Sequence, residues 1–427
     1  MNKKDLENKI YEITPNFFEQ KKFIPGETFI YTGWAVYDHQ EVNAIIGSLL
    51  TGQLGLGEKG VEFEKKFSEY MACKKTLLVN SGSSASLLSI AAAKERFNLK
   101  EGDEIITPAC GFPTTVNPIL QQGFVPCFID IDETYNISIS ELEKAVNKKT
   151  KGIAFSHTLG NPAKIDDIME IAKENNLFVI EDCCDAYGAT YDGKKCGSFG
   201  DLATSSFYPA HNITLAGEGG AISTNDNQVA KIIRSLRDWG RDCYCKTGHD
   251  NTCGKRFEFE LNGAPYDHKY IFSRIGYNLK PTELQAAMGL EQLKKLGDFN
   301  FKRKENFKEY MKRFAQFEDF FELPVIHEKA NPVFFGFPLL IKDSKINRKD
   351  FVSYLNENKI GTRYLFGGNL THQPAYKNSN YKISGDLKKT NEVERNLFWL
   401  GIHPGMGKEE IEYIEEKFRD YIDKKIY

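Results

Sequence analysis

Short apolar runs alternate with longer amphipathic stretches along most of this chain. Residues 76–79, 104–107, 125–130, 152–155 and 178–181 are aliphatic-rich and each gives way to turn-forming or polar residues, which predicts buried strands. Helical-period segments separate them. Residues from about 52 to 292 therefore predict a mainly parallel sheet covered by helices, an α/β fold. Ligands in such sheets bind beyond the carboxyl ends of the strands. The pattern then changes: a charged, aromatic-rich helix is expected over about 290–317, a strand over 332–341 and a helix over 348–356. A last helix is expected over 408–422, with Glu409, Glu410 and Glu412 near its start and Lys424 and Lys425 just past its end, as the helix dipole favours. The division is an N-terminal arm and lead-in (1–50), a large domain (51–295) and a smaller C-terminal α/β domain (296–427).

Composition narrows the function classes. The 427 residues carry 56 basic against 59 acidic side chains, a net −3, so neither nucleic acid nor a membrane surface is expected as a partner. No run of about 18 apolar residues predicts a spanning helix. The N-terminus begins Met1-Asn2-Lys3-Lys4-Asp5 without an apolar core, which argues for a cytoplasmic protein. Nine cysteines in that setting suggest metal or redox chemistry, or inert buried thiols, before disulfides.

Four segments following the strands carry candidate chemistry. Asn80-Ser81-Gly82-Ser83-Ser84-Ala85-Ser86 opens a helix, where small residues let backbone N–H groups approach a phosphate. The same residues also suit a simple capped helix start. Phe112 lies just past a strand and can stack on a flat heteroaromatic ring or pack in the core. Asp182 ends the strand 178–181, and a carboxylate there needs a cation or several donors. The fourth segment runs Ser205-Ser206-Phe207-Tyr208-Pro209-Ala210-His211-Asn212-Ile213-Thr214 and is followed by Gly217-Glu218-Gly219-Gly220.

Together with Gly102–Pro108, Phe128–Asp132, Glu181–Ala186, Gly200-Asp201 and Gly276-Tyr277-Asn278, these segments resemble the DegT/DnrJ/EryC1/StrS family. The resemblance runs through most of the chain. It implies a fold-type I, aspartate aminotransferase-like, PLP-dependent transferase architecture binding pyridoxal or pyridoxamine phosphate (PLP, PMP). By that likeness Ser83, Ser84 and Ser206 bind the phosphate, and Phe112 stacks on the ring. Asp182 pairs with the ring nitrogen, and Asp185 lies near the ring hydroxyl, where the aminotransferases commonly have glutamine. Asn278 reaches the phosphate of a neighbouring subunit, which implies a homodimer.

His211 occupies the position where the family's aminotransferases hold the cofactor covalently on a lysine. Imidazole cannot do so, but it exchanges protons near pH 7. In this family a histidine here resembles the PMP-dependent sugar 3-dehydratases. It implies an imidazole that accepts a cofactor proton and returns it to a departing C3 hydroxyl.

Cys243, Cys245 and Cys253 fall within eleven residues, spaced C-x-C-x7-C. That is no standard zinc or ferredoxin pattern. The flanking Arg237–Asp242 and Asp250–Phe257 stretches, with Gly361-Thr362-Arg363 and Leu365–Leu370, resemble the iron–sulfur sugar 3-dehydratases of 3,6-dideoxyhexose synthesis. The resemblance implies a [2Fe–2S] cluster in the loop 238–272, a CDP-4-keto-6-deoxyglucose substrate and a flavin/iron–sulfur NAD(P)H-dependent reductase as electron donor. Three cluster ligands are assigned, and His249, Cys183, Cys184 and Cys196 are candidates for the fourth. Two other readings are a glutamate-regenerated GDP-4-keto-6-deoxymannose 3-dehydratase without a cluster, and a non-catalytic sugar-nucleotide-binding protein.

Overall fold

The computed structural model describes residues 3–18, 22–243, 245 and 250–425. Its larger sheet contains β1 (Lys75–Val79), β2 (Glu104–Pro108), β3 (Val125–Ile129), β4 (Thr150–Ser156), β5 (Phe178–Asp182), β6 (Leu202–Ser206) and β7 (Gly220–Thr224). The order is β1-β7-β6-β5-β4-β2-β3, all parallel except β7, which runs against both neighbours. The strands β6 and β7 were not among those picked out from the hydrophobic pattern. Their small and hydroxyl residues (Leu-Ala-Thr-Ser-Ser and Gly-Ala-Ile-Ser-Thr) are wholly buried, so the apolar signal is weak where the burial is complete.

Neighbouring residues in the central strands face opposite cores. Ile105, Ala154 and Ile180 pack with Leu88 and Ile233 of the helices Gly82–Arg96 and Asn227–Arg237. Ile106, Ile153 and Val179 pack with Leu142, Ile168 and Ile171 from helices on the other side. Burial on both faces is why these strands read as continuous apolar runs.

The helix expected over 290–317 begins earlier. It spans Glu283–Phe314, starting at a capping box formed by Thr282 and Gln285, and runs unbroken past residue 295. It leads to a second, antiparallel sheet made of β8 (Phe321–Glu322), β9 (Gly336–Ile341), β10 (Thr362–Tyr364) and, later in the chain, β12 (Leu397–Gly401), in the order β8-β9-β12-β10. The strand β11 (Lys382–Ile383) pairs in parallel with β3, so the C-terminal region contributes an edge to the first sheet. No helix among the described residues is long and apolar enough to cross a membrane.

Candidate active site

The carboxyl ends of β5 and β6 bring the candidate residues together. Asp182 closes β5 and is buried. One carboxylate oxygen accepts a hydrogen bond from Thr115 Oγ1 at 2.7 Å. The other accepts from Thr204 Oγ1 at 3.2 Å and from the Cys184 amide at 3.1 Å. The first oxygen, with a single donor, keeps accepting capacity for a further one. Thr115 lies in the first turn of helix Pro113–Gln121, whose N-cap is Phe112. The Phe112 ring is 52% exposed and meets Phe366 edge-on at 6.0 Å. One short helix thus fixes the carboxylate and carries the aromatic ring beside it.

At the neighbouring strand end, helix Gly82–Arg96 begins against Ser206. Ser81 caps it, accepting from the Ser84 amide at 3.1 Å, while the Ser84 hydroxyl donates to Asn80 at 2.6 Å. Ser83 is exposed on the first turn. A Cβ on Gly82 would lie 2.6 Å from Ser206 Cβ, and one on Gly220 would lie 2.3 Å from the Ser81 carbonyl. Only glycine lets the helix start, β6 and β7 approach this closely. The arrangement presents helix N–H groups and the Ser206 hydroxyl together, a donor set suited to a phosphate. The cap forms and takes up the Ser84 amide, while Ser83 on the first turn stays exposed.

His211 follows β6 on a loop. Its Nδ1 lies 3.3 Å from a carboxylate oxygen of Asp185, off the line a hydrogen bond needs, and has no other partner. Its ring lies 5.1 Å from that of Phe335, tilted by 32°. An aspartate placed at Nδ1 favours the tautomer with its proton there and leaves Nε2 as the proton acceptor. The expectation placed Asp185 near the cofactor's ring hydroxyl; the structure sets it beside His211. Asn278 is exposed, accepts from Lys280 Nζ at 2.9 Å, and precedes Leu279, whose carbonyl accepts from the Asn80 amide at 2.9 Å. It therefore stands on the surface near the start of helix Gly82–Arg96.

Three supporting groups escaped the sequence reading. Thr115 and Thr204 brace Asp182. Glu181, one residue before it, is fully buried and accepts from the amides of Gly197, Phe199 and Gly200 at 2.7–2.9 Å and pairs with His157 Nε2 at 3.1 Å. The Ala163 amide donates to His157 Nδ1 at 3.1 Å, so the ring accepts there and donates its Nε2 proton to Glu181 as a neutral imidazole. The third is Arg303, which reaches the His211 carbonyl from the long helix. A buried charge within a helical pattern is the only sequence signal it gives.

In the cysteine loop, Cys245 Sγ lies 3.5 Å from Cys253 Sγ. Burial opposes the Cys245 thiolate, but Thr252, the Cys253 amide and the two other thiols favour it and bring Cys245 down to about 7; burial pushes Cys243 up. The loop is tied by Asp242–His268 at 2.7 Å, by Arg256–Asp267 at 2.7 Å and by Phe259 stacked on His268 at 4.4 Å. Three thiols gathered this way, one acidified, fit three positions of a cluster needing four ligands. His249 lies outside the described residues. Cys183 and Cys196 are buried in a small core with Ala186, Ala189, Ala203 and Val333, and Cys184 sits against Asp182 and Thr204.

A sheet of this order, with an aspartate, a serine and a helix N-terminus at adjacent strand ends, defines the fold-type I architecture of PLP enzymes. Residues 36–419 match the model of the DegT/DnrJ/EryC1/StrS aminotransferase family, and the chain belongs to that family. It is 46% identical to the lipopolysaccharide biosynthesis protein RfbH of Salmonella typhimurium, over 94% of this chain and 93% of that one. It is 43% identical to dTDP-4-dehydro-2,6-dideoxy-D-glucose 3-dehydratase of Saccharopolyspora spinosa, over 95% and 89% respectively. Among solved structures, E. coli GDP-4-keto-6-deoxy-D-mannose-3-dehydratase with bound hydrated PLP superposes with a TM-score of 0.83 at 32% identity, covering 92% of this chain and all of that one (100%).

Proposed function

We propose that this chain is a PMP-dependent nucleotide-sugar 3-dehydratase. It removes the C3 hydroxyl of CDP-4-keto-6-deoxyglucose on the route to the 3,6-dideoxyhexoses of lipopolysaccharide. The observation that supports the reading is a histidine beside Asp185 on the loop after β6, the strand next to the one that ends in the braced Asp182. When bound, PMP supplies an amine for the sugar's 4-keto carbon and an electron sink for breaking the C3–O bond. Ser206 and the first turn from Gly82, with Ser83 and Ser84, hold the phosphate. Phe112 covers the ring, and Asp182 receives the ring N–H between its two threonine donors. His211 accepts a proton at Nε2 and hands it to the departing hydroxyl, so water leaves and the imidazole ends neutral. Asp185 keeps the ring turned for both transfers. Asn278 completes the phosphate site of the second subunit in a homodimer.

The cysteine loop extends this reading. A [2Fe–2S] cluster on Cys243, Cys245 and Cys253 with one further ligand would supply one-electron transfer from a flavin/iron–sulfur NAD(P)H-dependent reductase. The likeness to the E. coli GDP-sugar dehydratase favours a second reading, in which glutamate regenerates the amine and no cluster is needed. Anaerobic turnover separates the two. CDP-4-keto-6-deoxyglucose should be consumed with PMP, and the 3-deoxy product should require added reductase. Turnover of GDP-4-keto-6-deoxymannose with glutamate alone would establish the second reading instead, and no turnover of either sugar would leave a binding protein.

A further inference from the structure

Arg303 is a buried cation without a direct anion. It projects from the middle of helix Glu283–Phe314 with no exposed surface. Among the described residues no carboxylate lies within ion-pair distance of its guanidinium. Nη1 donates to the carbonyls of Phe334 and Phe335, both at 3.3 Å, and Nη2 donates to the carbonyl of His211 at 3.4 Å; Nε has no hydrogen-bond partner. Burial pulls the guanidinium down to about 10, with Tyr187 and Asp185 acting the other way, so it stays charged at neutral pH. Burying such a charge is costly, and its hydrogen bonds converge on two separate parts of the chain.

Those parts flank the candidate base. Phe335 lies just before β9, and its amide donates to the Leu159 carbonyl at 2.7 Å. The Phe335 ring neighbours both the guanidinium carbon, 5.9 Å from its centre, and the His211 imidazole, 5.1 Å away. Arg303 thus holds the backbone of His211 directly and its ring through Phe335, while Asp185 faces the remaining Nδ1 edge. His403 also feels this cation, and burial together with Arg303 brings it down to about 4.

We infer that Arg303 is a positioning residue for His211, a noncovalent anchor that fixes the base relative to the C-terminal sheet. This rests on the reading of His211 as the proton carrier. A misplacement of about 1 Å can cost on the order of 100-fold in rate. Arg303→Lys and Arg303→Gln should therefore lower kcat by about 10- to 100-fold, with KM for the sugar and the Kd for PMP little changed. In a His211→Asn background the same changes should cost nothing further, because the residue they act through is gone.

A second readout needs no cofactor. In protein labelled with ε1-13C histidine, the resonance missing from His211→Asn belongs to His211, and it should shift or split in Arg303→Lys. Wild-type kcat with an unmoved resonance would overturn the inference. So would a loss that persists in the His211→Asn background, or failure of both Arg303 variants to fold, which would assign the residue to the fold alone. Normal turnover by His211→Asn itself would instead remove the functional reading beneath it.

Discussion

An imidazole with no covalent tether keeps its place only through contacts, and His211 is held on three sides. Asp185 faces Nδ1, Phe335 covers the ring and Arg303 binds the carbonyl. General acid–base catalysis is worth about 10²–10⁴-fold, so His211→Asn should retain PMP binding while losing turnover by about that factor, as single-turnover measurements would reveal. His211→Lys should acquire a new absorbance band on adding PLP; an unchanged spectrum would mean that the side chain does not face the cofactor. Asp185→Asn leaves a neutral group at Nδ1, and its kcat should fall with PMP affinity nearly unchanged. The histidine was legible because its neighbours are ordered motifs. Asp185 belongs to the segment Glu181–Ala186 that carries the family likeness, but its place beside His211 was not legible, and Arg303, 92 residues from the histidine, lies in no such segment.

At the scale of elements, the site depends on how closely strand ends and one helix start can approach. A methyl on Gly82 would press on Ser206, and overpacking of this kind costs ~1–3 kcal/mol. Gly82→Ala should lower the melting temperature and weaken PMP binding together. Behind the site, Glu181 accepts from three amides and from His157 Nε2, while His157 Nδ1 accepts from the Ala163 amide. Removing the ring leaves a buried carboxylate and a buried amide each short of a partner, and an unsatisfied buried group costs about 1–3 kcal/mol. His157→Ala should therefore lose stability of that order in urea unfolding, and an unchanged midpoint would mean that these bonds are not formed. Strands buried on both faces were readable as apolar runs, whereas β6 and β7 were not, because their packing against Gly82 and Ser81 demands small residues in place of large apolar ones.

In the whole molecule, helix Glu283–Phe314 runs from the larger sheet toward the C-terminal one, and its Arg303 bonds the loop after β6 to the residues before β9. The cysteine loop is a separate appendage after helix Asn227–Arg237, tied by its own ion pairs. Protein purified anaerobically should be brown and hold iron and sulfide near two of each per chain, the content of a [2Fe–2S] cluster. Cys245→Ser should lose the colour and the reductase-dependent product while still binding PMP. Colourless wild-type protein that forms the 3-deoxy product would exclude the cluster.

Local order in the sequence was enough to determine the α/β class, the capped helix start after β1, and the family to which the segment around His211 points. Those features depend on neighbouring residues: apolar runs, a glycine with hydroxyl residues after a strand, and one side chain within a motif. What surrounds the imidazole was decided only by tertiary structure. Thr115 reaches Asp182 across 67 residues and Arg303 reaches His211 across 92, and contacts of that span arise from packing, which no local pattern records. The same packing set Asp185 beside the histidine's Nδ1.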